Sequence, residues 1–440
     1  MKVLKFGGTS VGSPENMRSV MKIITNGEQK IIVLSAMSGT TDALVEISAY
    51  LRQKNRETAE ILIKELESGY KKVVAELLND EENKISGINI IKSVFDDIRS
   101  FTSGRFTLQA ENIILSKGEI ISTNLFKLLM QENGYDAKIL PALDFMRIDE
   151  DKMVDTRFIK KHVPLVLDDI GEAAYYITQG YICRNAKGEV DNLQRGGSDY
   201  TATLIGAALE VDEIQIWTDI DGFHNNDPRY VENTRKIDRL SFFEAAELAY
   251  FGAKILHPLT IFPARIQDIP VRLKNTLNPT DSGTLITSET TGKGIKAVAA
   301  KDGITAVKIR SDRMLMAYGF LKSVFKVFEK YKTPIDMIST SEVALSLTID
   351  STENLKKIHY ELDKFGTVEI DHNMTIICIV GDITGEERGF ASRVFNALDG
   401  IPIRMISYGG SRYNISVLVP DTHKEITLRA LSENLLNNGN

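Results

Sequence analysis

Residues 2–10 read KVLKFGGTS, and this stretch decides how the amino-terminal region is built. Residues 3–6 are a mostly apolar run that ends at two glycines, which is typical of a short buried strand. A helical pattern at residues 17–25 and a second apolar run at residues 31–34 follow. Strand, helix and strand in this order predict a βαβ unit with parallel strands.

The same alternation continues along the first two thirds of the chain. Residues 42–134 have mostly helical patterns, with amphipathic segments at 58–66 and 71–78 that we expect to break near Gly69 and Gly87. Further strand patterns lie at residues 137–140, 174–178, 214–218 and 270–273, alternating with helical patterns at 200–209 and 242–249. Strands that alternate with helices predict an α/β domain around a largely parallel sheet.

The last third contains an internal repeat. It follows residues 278–293, whose Gly, Pro, Ser, Thr and Asp content predicts a linker. The pattern of residues 324–339 recurs at 394–407, offset by 70 residues at the Val-Phe pairs and by 68 at the prolines. Each copy predicts strand, helix, strand, strand, helix. Neither copy has a cluster of catalytic residue types, so the pattern fits a dimerisation module and a ligand-binding module equally well.

Length and composition limit the classes of protein that fit. A chain of 440 residues predicts two or three domains. Its 60 acidic and 53 basic residues give a formal net charge of −7, which disfavours a nucleic-acid binder because such proteins need a basic surface. No run reaches the roughly 18 apolar residues of a membrane span. The start of the chain also lacks the apolar core of a signal peptide.

The cysteines and histidines predict neither a disulfide framework nor a metal cage. Cys183 and Cys378 are far apart, and the six histidines are scattered. We therefore expect a cytoplasmic protein without membrane or nucleic-acid partners and without a metal site of its own.

The first motif with a candidate chemical role is KFGGTS at residues 5–10. Glycines after a strand can expose backbone N–H groups to an anion, and Lys5 adds a positive charge. The motif is not a Walker A loop, because the pattern Gly-x-x-x-x-Gly-Lys-Ser/Thr occurs nowhere in the chain. The alternative interpretation is an ordinary tight turn.

Two further motifs flank predicted secondary structure. RGGSDYT at residues 195–201 offers a cation for a carboxylate and glycines that allow close approach, although a capped helix start explains it equally well. WTDIDGF at residues 217–223, continuing into NDPR at 226–229, lies after a strand, where open α/β sheets bind ligands. Acidic residues beside a glycine are also common in turns.

The remaining candidates are single residues. FGAKILHP at residues 251–258 places Lys254 after a predicted helix, where a lone lysine is otherwise a solvated charge. Glu119 is predicted at the start of an apolar helix, where its charge suits the positive helix end. His257 is interpreted as structural, because no cysteine or second histidine accompanies it.

Together and in this order, the four motifs resemble the aspartate kinase branch of the amino-acid kinase family, and the repeat resembles that family's paired ACT modules. The resemblance implies an α/β fold, an amino-acid-kinase-like three-layer sandwich with a mainly parallel sheet, followed by two ferredoxin-like βαββαβ (ACT) modules. It implies a catalytic domain at 1–290 and ACT domains at 303–371 and 372–440, with strand 295–300 as a candidate to complete the second. No fused homoserine dehydrogenase is expected.

The resemblance also implies the site residues. The catalytic residues would be Lys5, Asp199 and Lys254, with Asp199 as the organising aspartate. The ATP-binding residues would be Lys5, Gly7, Gly8, Thr218, Asp219, His224, Arg229 and Lys254. The aspartate-binding residues would be Ser35, Thr41, Glu119, Arg195, Gly196, Gly197 and Ser198. His224 departs from the tyrosine that lysine-sensitive relatives carry beside the nucleotide.

The reaction implied is transfer of the γ-phosphoryl group of ATP, with Mg²⁺, to the β-carboxylate of L-aspartate, the first step towards lysine, threonine and methionine. A carboxylate with a pKa near 4 is ionised at neutral pH, so its attack needs no general base. Catalysis then reduces to alignment and charge compensation. The divalent metal would arrive with the nucleotide.

The repeat is expected to bind a feedback amino acid, lysine or threonine or both, and to form a homodimer or homotetramer through the ACT modules. The implied effector contacts are Met314, Phe320, Leu321, Asp336, Ser341 and Glu342. Ala317 stands where lysine-sensitive relatives tend to have a serine.

Two alternatives stay open at this point. One is a catalytically silent amino-acid sensor, and the other is a kinase of the same fold with a different acceptor. A complete set of charged groups favours an enzyme over a sensor: Lys5, Arg195, Asp199 and Lys254.

Overall fold

The computed structural model describes residues 1–193, 196–252, 256–289, 292, 294–314, 318–383 and 389–436. The chain divides into two compact units. The first consists of Met1–Gly222 and Leu256–Glu289, and the second of Phe223–Ile255 and Thr290–Asn440. Among the described residues, no helix combines the length and the apolar character needed to cross a membrane.

The elements are named in chain order. The strands are β1 (Lys2–Phe6), β2 (Lys30–Leu34), β3 (Ala137–Ile139), β4 (Tyr175–Gln179), β5 (Ile182–Arg184), β6 (Val190–Asn192), β7 (Glu213–Thr218), β8 (Arg239–Ser241), β9 (Val271–Asn275), β10 (Thr284–Thr287), β11 (Gly294–Arg310), β12 (Ile338–Thr340), β13 (Ala344–Ile349), β14 (Thr367–Asp382), β15 (Met405–Ser407) and β16 (Asn414–Pro420). The helices are α1 (Pro14–Ile24), α2 (Thr40–Arg52), α3 (Arg56–Leu77), α4 (Glu81–Ser100), α5 (Leu108–Glu132), α6 (Ala142–Phe145), α7 (Thr156–Ile170), α8 (Gly197–Leu209), α9 (Phe242–Phe251), α10 (Phe262–Ile266), α11 (Phe320–Lys330), α12 (Leu355–Leu362), α13 (Phe390–Ala397) and α14 (Lys424–Leu431).

The first unit is built around a mainly parallel sheet, which confirms the α/β prediction. Its strands run in the order β3-β4-β2-β1-β7-β9-β10. The central strand β1 pairs in parallel with β2 and β7, and β10 joins β9 antiparallel. Every residue of β2 is buried, as expected for a parallel strand covered on both faces. Because the strands are parallel, the carboxyl ends of β1, β2, β4 and β7 meet at one edge, where such sheets bind ligands.

The helices before β3 differ from their prediction at two glycines. Gly69 does not break the chain into two helices, because α3 runs through it and one glycine costs a helix only about 1 kcal/mol relative to alanine. Gly87 lies inside α4, where it permits close packing on α3: a Cβ there would lie 2.9 Å from a methyl carbon of Val74. The break falls instead at Asp80, whose side chain accepts from the N–H of Asn83 and caps α4.

The predicted linker at 278–293 contains a strand. β10 lies within it and pairs with β9, so the first turn residues of this stretch close a hairpin, and the first unit ends at Glu289, inside the predicted linker. Gly283 makes the turn possible, since it has a φ of +69° and a Cβ there would lie 1.7 Å from the Leu273 carbonyl oxygen.

The second unit contains the repeat, and both copies have the predicted order of elements. They are β11-α11-β12-β13-α12 and β14-α13-β15-β16-α14, which share one sheet in the order β12-β13-β11-β14-β16-β15. The long strands β11 and β14 pair antiparallel, and residues 295–300 of β11 lie opposite residues 377–381 of β14. The domain limits 1–290, 303–371 and 372–440 stay predictions.

Candidate active site

Lys5 and Asp199 form a shielded ion pair at the carboxyl end of the central strands. Lys5 lies in β1, between β2 and β7, and Asp199 lies in the first turn of α8. The Lys5 Nζ is 2.6 Å from Asp199 Oδ1, and the two side chains are only 13% and 12% exposed. The positive end of α8 also favours the carboxylate. The pair therefore fixes an ammonium group at the edge where parallel sheets bind ligands.

The glycines after β1 bring two loops into contact. A Cβ on Gly8 would lie 2.9 Å from the carbonyl oxygen of Ala36, so the loop after β2 can pass this close only to a glycine. Gly8 also accepts a hydrogen bond from the N–H of Ser38 at 3.2 Å. Gly7 donates its N–H to the Trp217 carbonyl at 3.4 Å, because β7 extends its pairing with β1 by one residue. The Gly7 amide is thus already engaged, which differs from the expectation that both glycine amides face an anion.

A cleft of about 520 Å³ opens beside the ion pair. It is formed by the loops after β1 and β2, the start of α8 and the middle of α5. It brings together six of the seven residues predicted to bind aspartate, two of the eight predicted to bind ATP, and the catalytic Asp199: Ser35, Thr41, Glu119, Gly196, Gly197 and Ser198, then Lys5 and Gly8, and Asp199. Ser35 donates from its Oγ to the Ser198 Oγ at 3.0 Å, which links the β2 loop to α8.

The start of α8 depends on its glycines. Gly196 precedes the helix with a φ of +76°, and a Cβ there would lie 2.8 Å from a methyl carbon of Thr260. A Cβ on Gly197 would lie 2.8 Å from the ring of Tyr181. Gly196 and Gly197 are therefore packed closely against neighbouring elements, and both line the cleft at the start of α8.

Glu119 lies in the middle of α5, so its predicted place at a helix start was wrong. The helix begins after Thr107, whose side chain caps it, and runs through Gly118. Gly118 is needed for packing, because a Cβ there would lie 2.7 Å from the Ala36 Cβ. This close approach carries Glu119 into the cleft instead of placing it at a helix end.

The Glu119 carboxyl group is buried, and within the described part of the chain no ion pair forms with it. The residue is 4% exposed, and among the described residues its Oε2 has no hydrogen-bond partner. Burial raises the pKa of Glu119 to about 8, although backbone N–H groups of Glu119 and Ala36 act in the opposite direction. Such a carboxyl group gains most from a positively charged ligand that enters the cleft.

The residues predicted around the nucleotide fall in both units. Thr218 ends β7 and donates to the Asp219 carboxylate at 3.0 Å, both in the first unit. His224 and Arg229 belong to the second unit. There the His224 Nδ1 lies 3.2 Å from the Thr234 hydroxyl, and the Arg229 guanidinium pairs with Asp227 through contacts of 3.0 and 2.6 Å. Arg229 is thus engaged within its own loop.

Two cations of the predicted site, Arg195 and Lys254, lie outside the described residues, as does Ala317. Tyr181, Leu193 and Met37 line the cleft but were missed from the sequence. Tyr181 lies two residues after the end of β4, so the rule that ligands bind at strand carboxyl ends was a usable signal for it.

The residues predicted to bind an effector lie in the second unit. Met314 ends a short 3-10 turn, and Phe320 and Leu321 start α11 after Gly319. Ser341 and Glu342 are exposed in the turn between β12 and β13. Asp336 is buried before β12, and its carboxylate already pairs with Lys301 at 2.6 Å. An effector ammonium would therefore have to share or replace the contact with Lys301.

Comparisons with known proteins point to one family. The profile described as "Amino acid kinase family" matches residues 1–275, and one described as "ACT domain" matches residues 377–435. Aspartokinase 3, chloroplastic, from Arabidopsis thaliana is 36% identical over 98% of this chain and 80% of its own length. Lysine-sensitive aspartokinase 3 from Escherichia coli (strain K12) is 32% identical over 98% of both chains.

A solved structure supports the same relationship. The crystal structure of E. coli aspartokinase III in complex with aspartate and ADP (R-state) matches with a TM-score of 0.84 and 31% identity, covering 99% of this chain and 100% of that one. A family profile over more than half of the chain, and relatives above 30% identity along nearly all of it, show that the chain belongs to the amino acid kinase family, in its aspartokinase branch.

Proposed function

We propose that this protein transfers the γ-phosphoryl group of ATP to the β-carboxylate of L-aspartate, giving 4-phospho-L-aspartate and ADP. The observation that carries the proposal is the cleft in which a fixed Lys5 ammonium lies together with a buried Glu119 carboxyl group, whose Oε2 has no hydrogen-bond partner among the described residues. The cation suits phosphate oxygens, and the carboxyl group suits an α-ammonium. An amino-acid substrate that meets a triphosphate requires both.

The chemical step needs alignment more than proton transfer. The β-carboxylate is ionised at neutral pH, so one of its oxygens attacks the γ-phosphorus directly. The bond from the γ-phosphorus to the bridging oxygen breaks, and ADP leaves with the electron pair. Both reactants are anions, so the main barrier that the protein can lower is their repulsion.

Each of the described site residues has its own role in this step. Lys5 lowers the repulsion at the phosphates, and Asp199 holds Lys5 in place through the 2.6 Å contact. Glu119 binds the α-ammonium and so directs the opposite end of aspartate towards the phosphate. The resemblance assigns the α-carboxylate to Arg195 and a second phosphate contact to Lys254.

Magnesium fits this site as an ion that enters bound to the nucleotide. Among the described residues, no group of three or more His, Cys, Asp or Glu side chains is arranged to hold a metal ion. Of the carboxylates that line the cleft, Asp199 pairs with Lys5 and Glu119 is buried. We therefore propose that Mg²⁺ is bound through phosphate oxygens of ATP, where it would compensate charge.

The second unit is proposed to bind a feedback amino acid, lysine or threonine or both, and to form a homodimer or homotetramer. A relative supports the first part: a solved structure of E. coli aspartokinase III is a complex with lysine and aspartate (T-state), and it matches this chain with a TM-score of 0.82. A cytoplasmic location and a place at the start of lysine, threonine and methionine synthesis belong to the same proposal.

The test is ATP-dependent formation of an acyl phosphate, trapped with hydroxylamine and compared for L-aspartate, L-glutamate and carbamate. We expect hydroxamate with L-aspartate and much less with the other two. Product with another acceptor alone would identify a kinase of the same fold with a different substrate. No product with any acceptor would favour the silent sensor, although the Lys5–Asp199 pair would then lack a purpose.

A further inference from the structure

Helices α2 and α8 begin differently from the other long helices of the first unit. α1, α3, α4, α5 and α7 each follow a residue whose side chain accepts a hydrogen bond from the first turn: Ser13, Asn55, Asp80, Thr107 and Asp155. α2 and α8 follow glycines with positive φ, Gly39 and Gly196, and neither helix has a side-chain cap. Both glycines line the cleft. The two helices that start at the cleft therefore lack the usual contact that fixes a first turn.

A side chain from another helix holds the start of α2. Thr40 is the first residue of α2, and its hydroxyl shares a hydrogen bond of 2.6 Å with the Tyr70 hydroxyl of α3. Both residues are buried, each with 3% of its surface exposed. The methyl group of Thr40 packs on α5, since a Cβ on Gly118 would lie 3.2 Å from it. Thr40 is thus held by both α3 and α5.

Tyr70 is itself fixed by the neighbouring helix α4. The centre of its ring lies 6.2 Å from the centre of the Phe95 ring, and Phe95 is fully buried. Burial raises the pKa of Tyr70, and the charge of Glu119 adds to the rise although the bond to Thr40 opposes it. The Tyr70 hydroxyl therefore keeps its proton, and a packed ring holds that hydroxyl in one position.

The residue after Thr40 belongs to the cleft. Thr41 is exposed, lines the cleft and is one of the residues predicted to bind aspartate. Successive residues of an α-helix point about 100° apart, so a rotation of the first turn that moves Thr40 moves Thr41 as well. The hydrogen bond between Tyr70 and Thr40 therefore fixes the direction in which Thr41 faces the cleft.

We infer that Tyr70 is a positioning residue for the aspartate site, because it holds Thr40 and thereby the first turn of α2 that carries Thr41. The α3–α4 pair, which supplies none of the described residues that line the cleft, thus contributes to substrate binding. The inference rests on the proposed kinase function and on the predicted role of Thr41. Lys5 and Asp199 belong to β1 and α8, so we expect an effect on aspartate and not on ATP.

Two variants remove the hydrogen bond from either side. Tyr70→Phe removes one hydroxyl and keeps the ring beside Phe95, and Thr40→Val removes the other and keeps the methyl group beside Gly118. Thr40→Ser is the conservative variant, since it keeps the hydroxyl. The control is Tyr50→Phe, which changes a partly buried tyrosine near the other end of α2. Full-length proteins are compared in the hydroxamate assay for kcat and for the KM of L-aspartate and of ATP.

For Tyr70→Phe and Thr40→Val we expect a KM for L-aspartate that is about 3- to 10-fold higher, with less than about a twofold change in kcat and in the KM for ATP. The double variant should match either single variant, because both substitutions remove the same bond. Thr40→Ser and Tyr50→Phe should stay close to the wild type. A merely structural role would lower the amount of active protein, and so kcat, without raising the KM for one substrate.

Each outcome has a separate meaning. A wild-type protein without kinase activity on L-aspartate contradicts the proposed function, and the inference with it. An active wild type with Tyr70→Phe equal to Tyr50→Phe in the KM for L-aspartate overturns the positioning role alone, as does an equal rise in the KM for ATP. Effects of Tyr70→Phe and Thr40→Val that add in the double variant overturn the route through Thr40. Should Tyr70→Phe fail to fold, Thr40→Val compared with Thr40→Ser decides the same question.

Discussion

Glu119 in the first unit and Asp336 in the second are both buried carboxyl groups, but they differ in what neutralises them. Asp336 contacts Lys301 and the Tyr250 hydroxyl. Glu119 has an oxygen without a hydrogen-bond partner among the described residues, and burial raises its pKa to about 8. A buried carboxyl group without an internal cation is suited to a charged ligand, because binding removes its desolvation cost. A buried carboxyl group that already contacts an internal cation can respond to a charged ligand only when the ligand takes the place of an internal partner.

The largest effect is expected from removing the internal cation of Asp336. Among the described residues, Lys301→Met leaves the buried Asp336 carboxylate with the Tyr250 hydroxyl as its donor, and it should lower the free energy of unfolding at pH 7 by about 3–5 kcal/mol. Denaturant unfolding measures this, with Lys322→Met on the exposed face of α11 as control. Equal stabilities of the two variants would mean that Lys301 does not compensate Asp336.

The next effect concerns the cation beside the cleft. Lys5→Met should lower kcat by a factor on the order of 10²–10³, because the charge that offsets repulsion between the two anions is lost. Lys2→Met in the same strand is the control, since Lys2 pairs with Glu28 at 3.3 Å and lies outside the cleft. The measurement is the steady-state rate of both variants at saturating ATP and aspartate. A Lys5→Met enzyme as fast as the control would remove Lys5 from the mechanism.

Glu119 should make aspartate binding depend on pH. Its pKa is raised, so the carboxyl group is mostly protonated at pH 6 and ionised above pH 8, and only the ionised form attracts an ammonium. We expect kcat/KM for aspartate to rise between pH 6 and 8, at most about tenfold per unit, and then to level off. Glu119→Gln should lose this rise, and Glu111→Gln in the same helix should keep it. A rise that persists in Glu119→Gln would contradict the assignment.

The same pKa predicts how stability changes with pH. Glu119 binds a proton more tightly in the folded state than in the unfolded state, where its pKa is near 4.5. Its contribution to the free energy of unfolding is therefore fully present below pH 4.5 and is lost as pH rises towards 8. The unfolding free energy of the wild type minus that of Glu119→Gln should therefore fall as pH rises from 4.5 towards 8. A difference that is constant from pH 5 to 8 would contradict the raised pKa.

The smallest effects come from the glycines that bring Glu119 into place. Gly118→Ala should cost about 1–3 kcal/mol of unfolding free energy, because the new Cβ would lie 2.7 Å from the Ala36 Cβ. Gly69→Ala in α3 has open space and should stabilise the protein by up to about 1 kcal/mol. Thermal unfolding of both variants checks the signs. A stabilising Gly118→Ala would show that α5 does not need this close approach.

Much of the fold follows from periodic patterns in the sequence. Alternating strands and helices predict the parallel sheet, and the repeat predicts the order of elements in the second unit, since both are repeated local signals. The place of Lys5 and Ser35 at one cleft also follows, because carboxyl ends of parallel strands meet at one edge. The breaks predicted at Gly69 and Gly87 were wrong, because a glycine's effect depends on the neighbour it faces.

Other features leave no local signal. The contact between Tyr250 and Asp336 joins positions 86 residues apart, and no spacing in the sequence predicts it. The burial of Glu119 depends on the approach of the β2 loop to Gly118, which is a property of tertiary packing. Such pairings become visible only when the segments have been placed in space.

The central claim is that the cleft binds a substrate with both an ammonium group for Glu119 and a carboxylate for phosphorylation. The most direct measurement compares ATP-dependent hydroxamate formation at pH 8 with L-aspartate and with succinate, which lacks only the ammonium group. The claim predicts that kcat/KM for L-aspartate exceeds that for succinate by a factor on the order of 10² or more, and that Glu119→Gln narrows the gap. Equal use of the two acids, or no product from L-aspartate, would contradict it.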